Sequence, residues 1–163
     1  MKTAFLMPPI EADPYFWLFE VGSNKLGVHQ QVGWCMKLGE RIVPLDSEEK
    51  CVLLEPILEV EEGRFFTFLG DIKKEYPAYA STIDRFPKVM LLKHVFHTSC
   101  SGYWPEKALT WLKTDSSIQN LFHDELERFI ENKVMPQGAR QKANKILQGL
   151  LRNTLGTAPL SLN

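Results

Sequence analysis

The hydrophobic period of this chain changes once, near Gly70, and that change limits the architectures open to it. Before Gly70 the apolar residues come in short aromatic and β-branched runs. These are Tyr15-Phe-Trp-Leu-Phe-Glu-Val21, Lys25–Gln31 and Val32–Leu38, with Gly22, Gly27, Gly33 and Gly39 as punctuation. After Gly70 they recur at the three- and four-residue intervals of a helix face. Strands first and helices after is the α+β order. The chain is therefore expected to form a mainly antiparallel N-terminal sheet carrying a C-terminal layer of about four to five helices. Its 163 residues fit a single domain, 1–163, β-rich over 15–69 and helical over 71–153.

Within the first part, residues 1–14 carry Pro8, Pro9 and Pro14 and read as an extended lead-in. Gly22-Ser-Asn24 makes a turn. Arg41-Ile-Val-Pro-Leu45 is expected at a sheet edge, because Pro44 cannot donate to a central ladder. Cys51–Val60 and Arg64–Leu69 read as two more strands joined at Glu61-Glu62-Gly63, with Phe66 and Phe68 on one face and Phe65 and Thr67 on the other.

In the second part, Asp71 can cap a helix through Lys73, Glu75, Tyr79 and Ile83, which Pro77 kinks or splits. Pro87 opens Lys88–Thr98, striped by Val89, Leu92 and Phe96 with Leu91 and Val95 beside them; a buried strand over Val89–Phe96 competes with this helix. A polar turn leads to Trp104 and then to a helix over Pro105–Lys113, with Trp104 and Trp111 as anchors. Ser116-Ser-Ile-Gln119 has the form of a capping box. The helix behind it is striped by Ile118, Leu121, Phe122, Leu126, Phe129, Ile130 and Val134. Pro136-Gln-Gly138 ends that pattern. Ala139–Asn153 forms the last helix, buried through Ala143, Ile146, Leu147, Leu150 and Leu151, and Gly156 onward is a tail.

The 19 basic and 20 acidic residues nearly cancel, yet they are segregated. Residues 40–62 hold eight acids (Glu40, Asp46, Glu48, Glu49, Glu55, Glu59, Glu61, Glu62) against Arg41 and Lys50, a local net of −6. Residues 132–163 hold Lys133, Arg140, Lys142, Lys145 and Arg152 and no acid, a local net of +5. Solvated faces often look like this; the sharper reading is an acidic surface that steers a basic protein partner. Its contact residues are then Glu48, Glu49, Glu59, Glu61 and Glu62, which lie in or beside turns. The acidic N-terminal region opposes phosphate binding, so nucleic acid is not the expected partner, although the basic last helix could touch it. No apolar run reaches the ~18 residues of a membrane span, so no membrane partner is expected. The N-terminus opens like a signal peptide, but Pro8, Pro9 and Glu11 cut its apolar run short. Cys35, Cys51 and Cys100 are widely spaced with no C-x-x-C, which fits a reducing compartment, the cytoplasm by default.

The densest side-chain chemistry lies between His94 and Leu112. His94 and His97 sit three residues apart, near enough on a helix to share a metal, with Cys100 three further on. Other ligands would have to come from elsewhere, and packing is the ordinary role of such residues, so no metal or cofactor is expected. Cys100 beside His97 also suggests an activated thiolate, but no surrounding signature matches a cysteine enzyme. The nucleophile-elbow, P-loop, dinucleotide and zinc-protease motifs are all missing, so no catalytic residue is assigned.

The segment Ser101-Gly-Tyr-Trp-Pro-Glu-Lys-Ala-Leu-Thr-Trp-Leu112 resembles one found in small bacterial immunity proteins of polymorphic-toxin and contact-dependent-inhibition systems. In those proteins a Tyr-Trp pair opens a helix that continues with Ala-Leu and Trp-Leu. The resemblance implies a non-enzymatic protein that binds and neutralises a cognate toxin domain, and it assigns no binding residue. The alternative is a small cytosolic enzyme or ligand-binding domain with a site around His94, His97 and Cys100.

Overall fold

The computed structural model describes residues 1–156, so the expected tail over 157–163 lies outside the described residues. The chain divides into two compact units, Met1–His94 and Val95–Asn163. The first begins with a five-stranded antiparallel meander in the order β1-β2-β3-β4-β5. Its strands are β1 (Thr3–Ala12), β2 (Tyr15–Val21), β3 (Asn24–His29), β4 (Gly33–Leu38) and β5 (Arg41–Pro44). The α+β architecture is as expected, with six α-helices following the sheet among the described residues.

Prolines sit where a sheet tolerates them. Pro44 ends the edge strand β5, and Pro8 and Pro9 fall in the opposite edge strand β1. The β1–β2 register shifts between Phe5 and Ile10, the interval that holds both prolines. The first residues are thus more than a lead-in, since from Thr3 onward they form the outer strand.

The central strand β2 is buried almost throughout, and a second register shift explains how. Trp17 pairs with Gly27 and Phe19 with Leu26, leaving Leu18 as an extra residue. Phe16 and Phe19, three apart, would otherwise face opposite ways. Instead Phe16 stacks on Tyr79 with ring centroids 4.2 Å apart, and Phe19 stacks on Phe65 at 5.0 Å. Gly27 is correspondingly not a turn. It lies inside β3, where a Cβ would come within 2.1 Å of the Phe16 carbonyl oxygen. Gly22 and Gly39, both with positive φ, do occupy the turns.

The expected strands over Cys51–Val60 and Arg64–Leu69 are helical, so the β-rich part ends at Pro44 rather than at residue 69. Cys51, Leu54 and Ile57 are each 0% exposed, a three-residue period that matches the 3-10 helix spanning Glu49–Glu59. The phenylalanines belong to α1 (Glu62–Glu75), where Phe65, Phe68, Leu69 and Ile72 form the buried stripe. Six residues of alternating aromatics fit a strand, but the stripe continues to Ile72 only at helical spacing. Asp71 is therefore inside α1 and caps nothing. Pro77 does split the pattern, starting a short 3-10 turn (Pro77–Tyr79) that leads into α2 (Ala80–Ile83).

Helix α3 (Lys88–Thr98) has the expected bounds and runs from the first unit into the second. Its buried residues are Leu91, Leu92, His94 and Val95, with Val89 and Phe96 only half-buried. The second unit continues with α4 (Tyr103–Thr114), a 3-10 turn (Gln119–Phe122), α5 (His123–Glu131) and α6 (Gln137–Gly156). Trp111 is buried in α4, while Trp104 lies within the first turn of that helix and is half-buried. Gly102 precedes the helix where the chain passes Pro136; a Cβ there would meet the proline ring at 2.5 Å.

The capping box does not form. The Ser117 amide donates to Asp115 Oδ1 at 3.1 Å, and Gln119 reaches back instead of forward. Its side-chain nitrogen donates to the Leu112 carbonyl (2.9 Å) and the Lys113 carbonyl (3.3 Å), satisfying the open C-terminus of α4. The stripe behind it is also shorter than expected. Phe122, Leu126 and Phe129 are buried, whereas Leu121, in the 3-10 turn before α5, is 49% exposed and Val134, beyond its end at Glu131, is 80% exposed. In α6 the buried residues are Ala139, Ala143, Ile146 and Leu147, with Leu150 half-buried and Leu151 exposed. No helix among the described residues is long and apolar enough to cross a membrane.

Candidate functional site

The acidic segment 40–62 is not uniformly available. Asp46 pairs with Lys50 (2.7 Å) and Glu55 with the His94 ring (3.4 Å). Glu62 forms an ion pair with Lys88 in which both side chains are largely buried. Glu62, expected on the binding face, thus ties the start of α1 to the start of α3. Glu48 is half-buried, and Glu49, Glu59 and Glu61 are exposed. Glu59 and Glu61 border a concavity of about 760 Å³, also lined by Met1, Met7 and the bases Lys2 and Arg64. Met1 and Met7 are exposed on the β1 side, and the Arg64 guanidinium lies 4.7 Å from the Phe5 ring centroid.

Helix α3 directs its histidines to different acids. His94 is buried and faces Glu55, whose carboxyl burial pushes above the usual range while the ring pulls it partly back. His97 Nε2 lies 3.2 Å from Glu125 Oε1 of α5. Cys100 is exposed, with its nearest recorded partner the Thr98 carbonyl at 3.9 Å. His94, His97 and Cys100 therefore do not assemble into one site. Among the described residues, the only three side chains close enough to share an ion are His123, Asp124 and Glu127, all at the surface. The other cysteines are buried and unreactive: burial raises the Cys35 thiol to about 11 and, with Glu48 nearby, the Cys51 thiol to about 12.

His97 does belong to a cavity of about 580 Å³ in the second unit. Its polar lining is His97, Glu125, Arg128, Asn132 and Ser99, and its apolar lining includes Phe96 and Phe129. Glu125 is only 7% exposed, a carboxylate set into a buried surface, with Arg128 at 3.9 Å. The Ser99 Oγ is buried without a hydrogen-bond partner. Sequence reasoning found His97 but missed Glu125. The signal was present: Glu125 falls three after Phe122 and four before Phe129, which puts an acid on the apolar stripe. Such a group can hold a cationic or hydrogen-bonding ligand, or fix the imidazole opposite it.

No family model matches the sequence, and no curated protein or solved structure matches it either.

Proposed function

We propose that this chain is a non-enzymatic binding protein of the immunity type, which acts in the cytoplasm and neutralises a basic bacterial toxin domain through its first unit. The observation that carries this reading is the border formed by Glu59, Glu61 and the outer strand, where exposed Met1 and Met7 lie beside exposed carboxylates. An apolar centre with methionine and a charged rim is the usual anatomy of a recognition surface. Glu49, exposed at the far end of the 3-10 helix, extends the acidic side, and the local −6 of residues 40–62 would speed encounter with a cation-rich partner. The resemblance of Ser101–Leu112 to immunity proteins supplies the class of partner.

The test is to clone whatever toxin-like domain the neighbouring reading frames encode, co-express it with this protein and score growth. Rescue is expected, and Glu49→Lys, Glu59→Lys and Glu61→Lys together should slow association about tenfold at low salt, with little change at high salt. Growth arrest despite a folded protein would overturn the inhibitor reading. Salt-insensitive association with full affinity in the triple variant would move the binding face elsewhere.

The His97–Glu125 cavity favours a second reading, a ligand-binding domain, because a buried carboxylate, an imidazole and an unpartnered hydroxyl line one half-open concavity. A stoichiometric small molecule retained by the purified protein in native mass spectrometry, and lost in Glu125→Gln, would support it.

A further inference from the structure

A groove in the second unit, between α4 and α6, carries charge of the opposite sign and has a different floor. Its volume is about 520 Å³, within the ordinary range of small-ligand pockets. Leu109 and Ile146 supply an apolar base, and Lys113, Lys142 and Lys145 stand around it with no acid in the lining. None of the three lysines takes part in an ion pair among the described residues. Gln119, tied to the Leu112 and Lys113 carbonyls, closes one end as a fixed wall.

Gly149 shapes the remaining side. It lies in the interior of α6, where glycine weakens a helix relative to alanine, and a Cβ built on it would meet nothing within 4 Å. Packing therefore does not require glycine here. What the missing side chain does is leave the groove open over the helix backbone.

We propose that this groove binds an amphiphilic organic anion. Its carboxylate, sulfonate or phosphate head would be held by Lys113, Lys142 and Lys145, with an apolar body laid on Leu109 and Ile146 and across Gly149. Lys113, Lys142 and Lys145 line this one concavity with no acid among its lining residues, so an anion seated there is attracted by all three. The apolar floor decides the rest of the ligand: it offers nothing to an inorganic ion or to a bare phosphodiester backbone, and it desolvates a hydrocarbon or aromatic body. This site is independent of the acidic surface of the first unit.

The experiment is a fluorescence titration of the full chain with 8-anilinonaphthalene-1-sulfonate, competed by decanoate, decyltrimethylammonium or inorganic phosphate. Saturable binding of one equivalent, displaced by decanoate and not by the cationic amphiphile, is expected. Lys142→Glu with Lys145→Glu should weaken it at least about tenfold, since contacts to charged groups of this kind readily reach that size. Gly149→Phe should block the groove while leaving helical circular dichroism and melting temperature at wild-type level or above. Wild-type affinity in both folded variants would overturn the proposal, as would inorganic phosphate competing as well as decanoate. Should Gly149→Phe lose helix, Gly149→Leu replaces it with the same expectation.

Discussion

In the first unit many of the buried side chains are rings packed on rings; in the second they are mainly alanines and leucines around Trp111 and a smaller ring cluster of Phe96, Phe122 and Phe129. Phe5, Phe19, Phe65 and Phe68 form one connected aromatic cluster, and Phe16 stacks on Tyr79 with the Tyr76 ring tilted against it. The Lys88–Glu62 ion pair, with both side chains largely buried, is also here, and the buried Trp34 indole donates to the Ile83 carbonyl. In the second unit α4 and α6 bury Ala108, Leu109, Leu112, Ala143, Ile146 and Leu147. Two concavities of about 580 and 520 Å³ lie between its helices. The rings of the first unit pack against one another between its sheet and α1, and its concavity lies at the outer strand beside Glu59, Glu61 and Arg64. Short side chains on helices leave hollows wherever one is missing, and polar groups collect there.

The comparison is tested most severely at Trp111, the largest fully buried side chain of the second unit. Trp111→Ala should cost about 3–5 kcal/mol, and half-buried Trp104→Ala clearly less. If chemical denaturation shows both variants at wild-type stability, the second unit does not depend on a packed core. Next is the first unit's ion pair. Lys88→Met strands the Glu62 carboxylate in a dry setting and should cost about 3 kcal/mol, most of it regained when Glu62→Leu is added. A double variant as unstable as the single one would show that the pair does more than neutralise itself.

A smaller effect separates the two units by sign. Gly27→Ala drives a methyl into the β2 backbone and should lose about 1–3 kcal/mol, whereas Gly149→Ala enters open space in a helix and should gain about 0.5–1 kcal/mol. Equal effects in melting experiments would erase the contrast. The smallest expected effect is in the pH profile. Burial raises the Glu55 carboxyl above its usual range, so the folded protein holds that proton more tightly than the unfolded chain. Its contribution to stability therefore falls as pH rises from about 4.3, the unfolded value, through the raised folded one. Glu55→Gln keeps an acceptor for His94 and should flatten that fall; urea midpoints measured from acid to neutral pH check it.

Much of the fold was legible because local chemistry and tertiary need agreed. Pro44 forbids a central ladder position, Gly22 and Gly39 permit tight turns, and the apolar stripe of Lys88–Thr98 fits the helix that forms there, although a buried strand over Val89–Phe96 fitted the same residues. Where two periods fit the same residues, the sequence was ambiguous. Cys51–Val60 is apolar and β-prone by composition, yet its fully buried Cys51, Leu54 and Ile57 fall three apart. Ser116–Gln119 has the letters of a cap, but the Gln119 amide found the open carbonyls of α4 nearer than the amides ahead of it. Of the candidate site, the acids Glu49, Glu59 and Glu61 and the ring of His97 were visible as residues, while the partners that define their roles were not.

By itself, then, the sequence determined the strands-then-helices order, the edge place of β5 and the segregation of charge, because these depend on backbone sterics, period and composition over a few neighbouring residues. Only the tertiary structure decided that Glu62 belongs to Lys88, twenty-six positions away, that His94 and His97 answer to different acids, and that three lysines from α4 and α6 ring one groove. Pairings between distant residues depend on which surfaces meet when the helices pack, and no local interaction along the chain specifies that.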